Sequence, residues 1–378
     1  MLRALARINL AASERNAARL RGRLTGGAAL CAVVKARASG HGAAQVARAA
    51  LAGGATSLAV ATAGEAAELR EQGIAAEVPV LVLGAVSEEE LPAALSAGGE
   101  LVAWDAAFVD AIERAAQSLP IRAPVRVHVK YDTGLGRLGT RDLRQALAVA
   151  ERIASTDGLV LHGAMTHTAT ADGDREFLTA QLATFAPFVE RIRRVAPVLA
   201  HAANSAATVA EPSSHLDMVR CGIALHGCDP MNESPDAWDL EPALELTSYV
   251  AAVKRLAPGE SVGYGRRFIA ERETWIATVP IGYADGVARA HTNNGEVLIS
   301  GQRRPIVGTV SMDNITVDLG PRAEVGVGEE VVLIGRSGEQ RITAEELARR
   351  IDTINHEVLC RLSDRVTRRW HRDGEAVQ

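Results

Sequence analysis

The sequence predicts an eightfold β/α barrel followed by a second, mostly antiparallel β domain. Three observations carry that expectation. Residues 28–235 alternate short apolar runs with helical patterns, and there are eight such runs. Their starts lie about 27 residues apart, close to the ~30 per unit of a barrel of this kind. Beyond residue 235 the pattern changes to short strand-like runs separated by Gly-rich turns, as in an antiparallel domain. The chain of 378 residues is also too long for one barrel of ~250 residues. The expected division is a barrel over 1–235 and a β domain over 236–378.

The eight runs are 29–34, 57–61, 78–83, 101–104, 125–129, 159–165, 198–202 and 217–225. Each is nearly continuously apolar, as a parallel strand buried on both faces must be. Helical spacing of apolar positions marks Ala43–Ala52, 61–72 and 177–195. A doubly wound open sheet is the competing architecture. Eight units, and the lack of a GxGxxG after the first strand, favour the barrel. Residues 230–241, rich in Pro, Asp and Glu, read as a linker. The second domain shows strand-like runs at 247–254, 275–280, 296–300, 304–310, 315–319 and 330–334. Asn293-Asn294-Gly295 and Ser300-Gly301 supply turns. A short helix is expected over 343–351, with Thr343 as N-cap and Glu346 three residues on.

Composition narrows the function class. There are 41 basic and 46 acidic residues, a net charge of −5, which argues against a nucleic-acid binder. Aromatic residues are only 3%, so the core must be built from Ala, Val, Leu and Ile. Four scattered cysteines, Cys31, Cys221, Cys228 and Cys360, form neither a disulfide framework nor a zinc pattern, and no metal is expected. The first residues carry Arg3, Arg7, Glu14 and Arg15 and do not read as a signal peptide. No apolar run of ~18 residues suggests a spanning helix. A cytoplasmic protein without membrane partners is the expectation.

Several polar residues fall at strand ends, where barrel active sites lie. Lys35 closes the first run, in CAVVKARASGHG. Partial desolvation there turns an amine into a nucleophile toward carbonyls, although a lysine snorkelling from a strand end has the same spacing. Lys130 opens KYDTGLGR, whose Arg137 offers a fork for a carboxylate; a plain turn with a surface arginine is the alternative. His167 follows the sixth run. Ser205 follows the seventh, and Gly222 and Ile223 lie in the eighth, where barrels often bind phosphate. In the second domain, Tyr264 is flanked by glycines, and Tyr283 and Ser311-Met312-Asp313 occupy further turns.

Read together, AVVKA with GHG, KYDTGLGRLG, THTATAD, ANSAA, VRCGIAL, VGYG, PIGYADG, SMDN and INHEVLCRLSDRV resemble the alanine racemase family, in order from about residue 32 to 365. The resemblance implies a pyridoxal 5′-phosphate (PLP) enzyme and a homodimer whose sites are each completed by the partner's β domain. It implies that Lys35 holds the cofactor as a Schiff base and that Tyr264, from the other chain, is the second acid/base. Arg220 would face the pyridine nitrogen, and Ser205, Gly222 and Ile223 would hold the phosphate. Arg137 would contact the cofactor and the substrate carboxylate, oriented by a carbamylated Lys130. His167 would link Arg220 to Tyr264, and Met312 and Asp313 would line the partner-side substrate wall.

Three departures from the family pattern stand out. Arg37-Ala38-Ser39 replaces Asn-Ala-Tyr, His356 replaces the tyrosine of INYEV, and His226-Gly227 replaces Tyr-Gly. The first two tyrosines help hold the cofactor phosphate and close the small alanine pocket in the family. Their loss at Ser39 and His356 implies a roomier, more polar pocket, with Arg37 as a substitute phosphate contact or an exposed residue. The expected activity is therefore racemisation of alanine, with serine or a larger polar amino acid as the alternative substrate. A PLP-dependent decarboxylase is the other enzyme class; Glu211-Pro212-Ser213-Ser214 is not the Glu-Pro-Gly-Arg block such enzymes carry.

Overall fold

A computed structural model describes residues 1–121, 123–322 and 324–377. The first strand, β1 (Leu5–Asn9), is followed by eight parallel strands: β2 (Ala29–Val33), β3 (Ser57–Val60), β4 (Val80–Val82), β5 (Gly99–Ala103), β6 (Val125–Lys130), β7 (Leu159–Met165), β8 (Leu199–His201) and β9 (Met218–Cys221). Each falls on a run expected from the sequence. They pair in the order β8-β7-β6-β5-β4-β3-β2-β9. The remaining seam is bridged where Asp217 N donates to Ala200 O and Arg220 N to Ala203 O, both at 3.0 Å. An eightfold barrel results. Side chains in its lumen include Cys31, Ala59, Leu81, Val102, Met165 and Met218, one from each of six strands. The small, aliphatic composition is what lets a barrel this tight fill its interior.

Helices alternate with the strands, and their starts are set by short polar caps. Thr62, Asp105, Asp142, Asp174 and Asn204 each accept a hydrogen bond from a backbone N–H of the first turn that follows. Thr62 and Glu65 form a reciprocal capping box.

The chain divides into two compact units: Ser13–Ala38 with Gly42–Leu225, and Met1–Ala12 with Ser39–His41 and His226–Gln378. The second unit therefore includes β1 and a three-residue excursion, both drawn from within the 1–235 span. Its main sheet is mostly antiparallel. β1 lies between Leu244–Tyr249, antiparallel, and Thr367–Arg372, parallel. The expected strand over 247–254 is two strands, Leu244–Tyr249 and Ala252–Leu256. The break at Val250 and Ala251 lets the chain leave Glu330–Ser337 and pair with Thr274–Val279 instead. Ser300-Gly301 joins Gly295–Ile299 to Gln302–Ile306 with both residues at positive φ, the two-residue turn that matches strand twist. Thr343 caps the helix Ala344–Arg350 by accepting from Glu346 N.

Residues 230–241 are not a free linker. Asp229, buried, accepts from Met231 N, Glu233 N, Ser234 N and Trp238 Nε1, which folds the segment around one carboxylate. His226, where the resembled family has tyrosine, is fully buried and stacks on His41 at 4.2 Å. Neither of its ring nitrogens has a hydrogen-bond partner among the described residues. Among the described residues, no helix is long and apolar enough to cross a membrane.

Candidate active site

Lys35 stands just past the end of β2, with its side chain exposed at the C-terminal mouth of the barrel. The backbone that follows is unusual. Ala36, Arg37, Ala38 and Ser39 all have φ between 51° and 54°, a left-handed turn with no glycine in it. Each such residue costs ~1–2 kcal/mol, so the surroundings must hold the turn in place. Ala38 N donates to Val34 O, and Gly42 N to Arg37 O, both at 2.8 Å. Glu65 supplies the main clamp. Its Oε1 accepts from Ala36 N at 2.6 Å, while Oε2 accepts from Ala61 N at 2.7 Å. One carboxylate thus ties the residue after Lys35 to the end of β3. In the sequence Glu65 reads only as a polar position of a helix, so its role was not legible there.

Cations gather at this mouth. Lys130, the last residue of β6, is buried, and its pKa is lowered to about 8 by burial and by Arg220, Arg137 and Lys35. Gly139 makes room for it: a Cβ there would lie 3.1 Å from Lys130 Cγ, and its φ of +107° suits only glycine. The loop that carries Arg137 is organised by Asp132, whose carboxylate accepts from Gly134 N, Gly136 N and Arg141 Nε. Burial pushes the Asp132 pKa up, but Arg141 and the two amides outweigh it and bring the carboxyl below its usual value. Arg137 itself is exposed.

Arg220 is buried inside the barrel, and burial brings its pKa down to about 10. It bonds through Nη1 to His201 Nδ1 at 2.8 Å. Nη2 bonds to Thr166 O, Ala202 O and His167 Nδ1, each at 3.0 Å. Burial and the nearby cations Arg220, Lys130, Arg137 and Lys35 hold the His167 pKa well below its usual value. Ser205, capped into place at the start of Ser205–Ala210, accepts from Gly222 N at 3.0 Å. Ile223 is buried beside it in the chain. Lys35, Lys130, Arg137, His167 and Arg220 therefore share one electropositive mouth, and Ser205 meets Gly222. Arg37 lies on the left-handed turn with its side chain exposed.

The other expected residues belong to the second unit. Tyr264 is 76% exposed, on a turn where Thr309 Oγ1 donates to the Tyr264 carbonyl at 2.6 Å. Met312 is also exposed. Its carbonyl accepts from Ala284 N at 3.0 Å, and Tyr283 N donates to Ser311 O at 3.0 Å, so these two turns are zipped together. Asp313 pairs with Arg365 at 2.5 Å. Ser39 is half-buried, and its carbonyl lies 3.2 Å from His41 Nδ1. His356 is exposed on the helix Asn355–Cys360.

Comparison with known proteins gives the family. The alanine racemase N-terminal domain matches residues 8–230, and the alanine racemase C-terminal domain matches residues 243–370. The alanine racemase of Geobacillus kaustophilus is 41% identical over 98% of this chain and 95% of its own length. Alanine racemase 2 of Caldanaerobacter subterraneus is 41% identical over 91% of this chain and 88% of its own length. Among solved structures, alanine racemase from Bacillus anthracis with bound L-Ala-P matches with a TM-score of 0.92 and 35% identity, covering 100% of this chain and 97% of that one. The enzyme from D-cycloserine-producing Streptomyces lavendulae matches at 0.93 and 34%, covering 98% and 97%. Two domain matches in order and relatives above 30% identity along nearly the whole chain establish that it belongs to the alanine racemase family and is an amino-acid isomerase of that type.

Proposed function

We propose that this chain interconverts L- and D-alanine as a homodimer, with pyridoxal 5′-phosphate as cofactor and two opposed bases. The observation that carries the reading is the cation-lined mouth around Lys35. Four positive side chains beside a serine hydroxyl and a glycine amide suit an anionic phosphate, a phenolate oxygen and a substrate carboxylate. In this reading Lys35 holds the cofactor, Ser205, Gly222 and Ile223 cradle its phosphate, and Arg137 takes the phenolate side and the substrate carboxylate. When bound, the cofactor supplies the electron sink that makes the substrate Cα–H acidic.

The chain's own residues manage the protons. Lys35 Nζ serves one face of Cα, and the partner's Tyr264 serves the other. Two bases on opposite faces are the direct way to invert a centre. A phenol has a reference pKa of ~10, so the partner's Tyr264 needs help to act near neutrality. Arg220 can only donate, so His167 must accept at Nδ1 and carry its proton on Nε2. That N–H is a donor suited to a phenolate oxygen. The Arg220 hydrogen bonds run from Nη1 and Nη2, so in this reading its Nε–H would donate to the ring nitrogen. A permanently charged guanidinium there would leave that nitrogen unprotonated, because it has no proton to give up. Met312 and Asp313 of the partner complete the substrate wall, and Ser39 and His356 widen the pocket.

A chiral assay tests the proposal. L-Alanine incubated with the cofactor-loaded protein should yield D-alanine until the two are equal, and Lys35→Ala should abolish it. A folded, loaded protein that forms no D-alanine overturns the reading.

A further inference from the structure

The interior of the barrel holds more polar groups than its mouth requires. Glu100 on β5, His128 on β6 and His201 on β8 are all buried, and the mechanism above uses none of them. They form one line with Arg220. Arg220 Nη1 is 2.8 Å from His201 Nδ1; His201 Nε2 is 2.9 Å from His128 Nδ1; His128 Nε2 is 3.0 Å from Glu100 Oε2. The other Glu100 oxygen accepts from Arg126 at 3.0 Å. Glu100, Arg126 and His162 line a cavity at the opposite end of the strands from Lys35. The line therefore runs from the floor of the barrel to its mouth.

Its direction follows from donor chemistry. A guanidinium has no lone pair to offer, so His201 must accept at Nδ1. A neutral His201 then carries its proton on Nε2 and donates to His128 Nδ1. His128 in turn carries its proton on Nε2 and donates to Glu100. Every link is satisfied in this one arrangement and in no other with neutral rings. His201 is fully buried, and burial with Arg220 close by holds its pKa well below the usual value; Glu100, lowered to about 2 because His128 and Arg126 outweigh burial, is the ionised acceptor on which the line ends. Space is reserved for the line as well. A Cβ at Gly163 would lie 1.9 Å from His128 Nδ1, so residue 163 must be glycine for the ring to sit there.

Ligand atoms of Glu100, His128 and His162 lie within 4.8 Å of one another. A metal there would have to displace the proton that this assignment places on His128 Nε2.

We propose that Glu100, His128 and His201 are positioning residues that fix the orientation and hydrogen-bond polarity of Arg220 from the far end of the barrel. Glu100 is the terminal acceptor. Without it, His128 is released to the opposite tautomer and presents a donor to His201. His201 then turns its own proton toward Nδ1 and repels Arg220. The inference about Arg220 rests on the role given to it in the proposed function, while the tautomers do not depend on that role.

The test uses the full-length protein. ¹⁵N NMR of the histidine rings in the cofactor-free protein should show His201 and His128 protonated at Nε2 and bare at Nδ1. Glu100→Leu should move a measurable fraction of His201 to the Nδ1–H form, although residue 100 does not touch that ring. Glu100→Gln, which keeps an acceptor oxygen, should restore the parent tautomers. In the loaded enzyme Glu100→Leu should lower kcat by roughly 10- to 100-fold, the scale of a small misplacement at the reacting centre, with KM within about threefold and Glu100→Gln near the parent. Parent spectra with His201 protonated at Nδ1 overturn the proposal. So does a folded Glu100→Leu protein with unchanged tautomers and unchanged kcat. Should that variant not fold, the parent tautomers and Glu100→Gln still decide. Parent tautomers as stated, in a loaded protein that racemises nothing, refute the proposed function and leave the line standing.

Discussion

Arg220 Nη2 lies 3.0 Å from His167 Nδ1, with the guanidinium buried and the imidazole half-buried. The pair shows why several histidines here must stay neutral. Burial holds the pKa of His167, His201 and His226 well below the usual value, and brings that of His291 to about 4.

A pH dependence of stability follows. In the unfolded chain these rings bind protons as the pH falls through ~6.5, whereas in the native state they resist protonation. The unfolded state then holds more protons, so stability is full above about pH 7 and is lost as the pH falls below ~6.5. Each ring contributes about 1.4 kcal/mol per pH unit below ~6.5, so four together cost on the order of 8 kcal/mol between pH 7 and 5. Urea midpoints at successive pH values measure this. His226→Tyr should reduce the slope by about one proton, and a flat profile would show that the rings are not held neutral.

Lys130 bears on the second prediction. Its pKa of about 8 leaves a sizeable neutral fraction near neutrality, and only a neutral amine reacts with carbon dioxide. Incubation with ¹³C-bicarbonate should give a carbamate signal that is lost in Lys130→Ala. Stripping carbon dioxide should lower activity in the parent and change nothing in that variant.

Shared sites make a third prediction. Lys35→Ala and Tyr264→Phe homodimers should each be nearly inactive. In a 1:1 mixture half the dimers are mixed, and both lesions fall in one pocket of each, so activity should return to about a quarter of the parent level. Mixed dimers that form, yet stay inactive, would mean that Tyr264 serves its own chain.

Substrate range is the fourth. Ser39 and His356 occupy positions of pocket-closing tyrosines in the resembled family. A pocket discriminates by ~1–3 kcal/mol per methylene, so their loss should let serine turn over measurably beside alanine. Ser39→Tyr/His356→Tyr should raise the alanine-to-serine ratio of kcat/KM by about 10-fold or more. An unchanged ratio would remove both positions from the specificity wall.

Much of the fold is legible in the sequence. The eight barrel strands were legible because a strand buried on both faces has to be apolar throughout, as VLV at Val80–Val82 shows. Lys35, Lys130, His167 and Ser205 were legible as polar residues interrupting or closing such runs. Strand β1 was not, because Leu5–Asn9 is short and its partners lie more than 230 residues away. The left-handed turn after Lys35 was hidden for a different reason. Ala36, Arg37 and Ala38 have no intrinsic preference for positive φ, and Glu65 imposes it from another strand-helix unit.

Residue identity, strand count and the polar groups at strand ends were thus local properties, decided by hydrophobic period and turn chemistry. The line from Glu100 through His128 and His201 to Arg220 was not. Each of its members sits inside a strand, where a lone polar residue reads as an isolated core substitution. Only closure of the barrel stacks them, and only the inability of Arg220 to accept a hydrogen bond sets the direction in which their protons point.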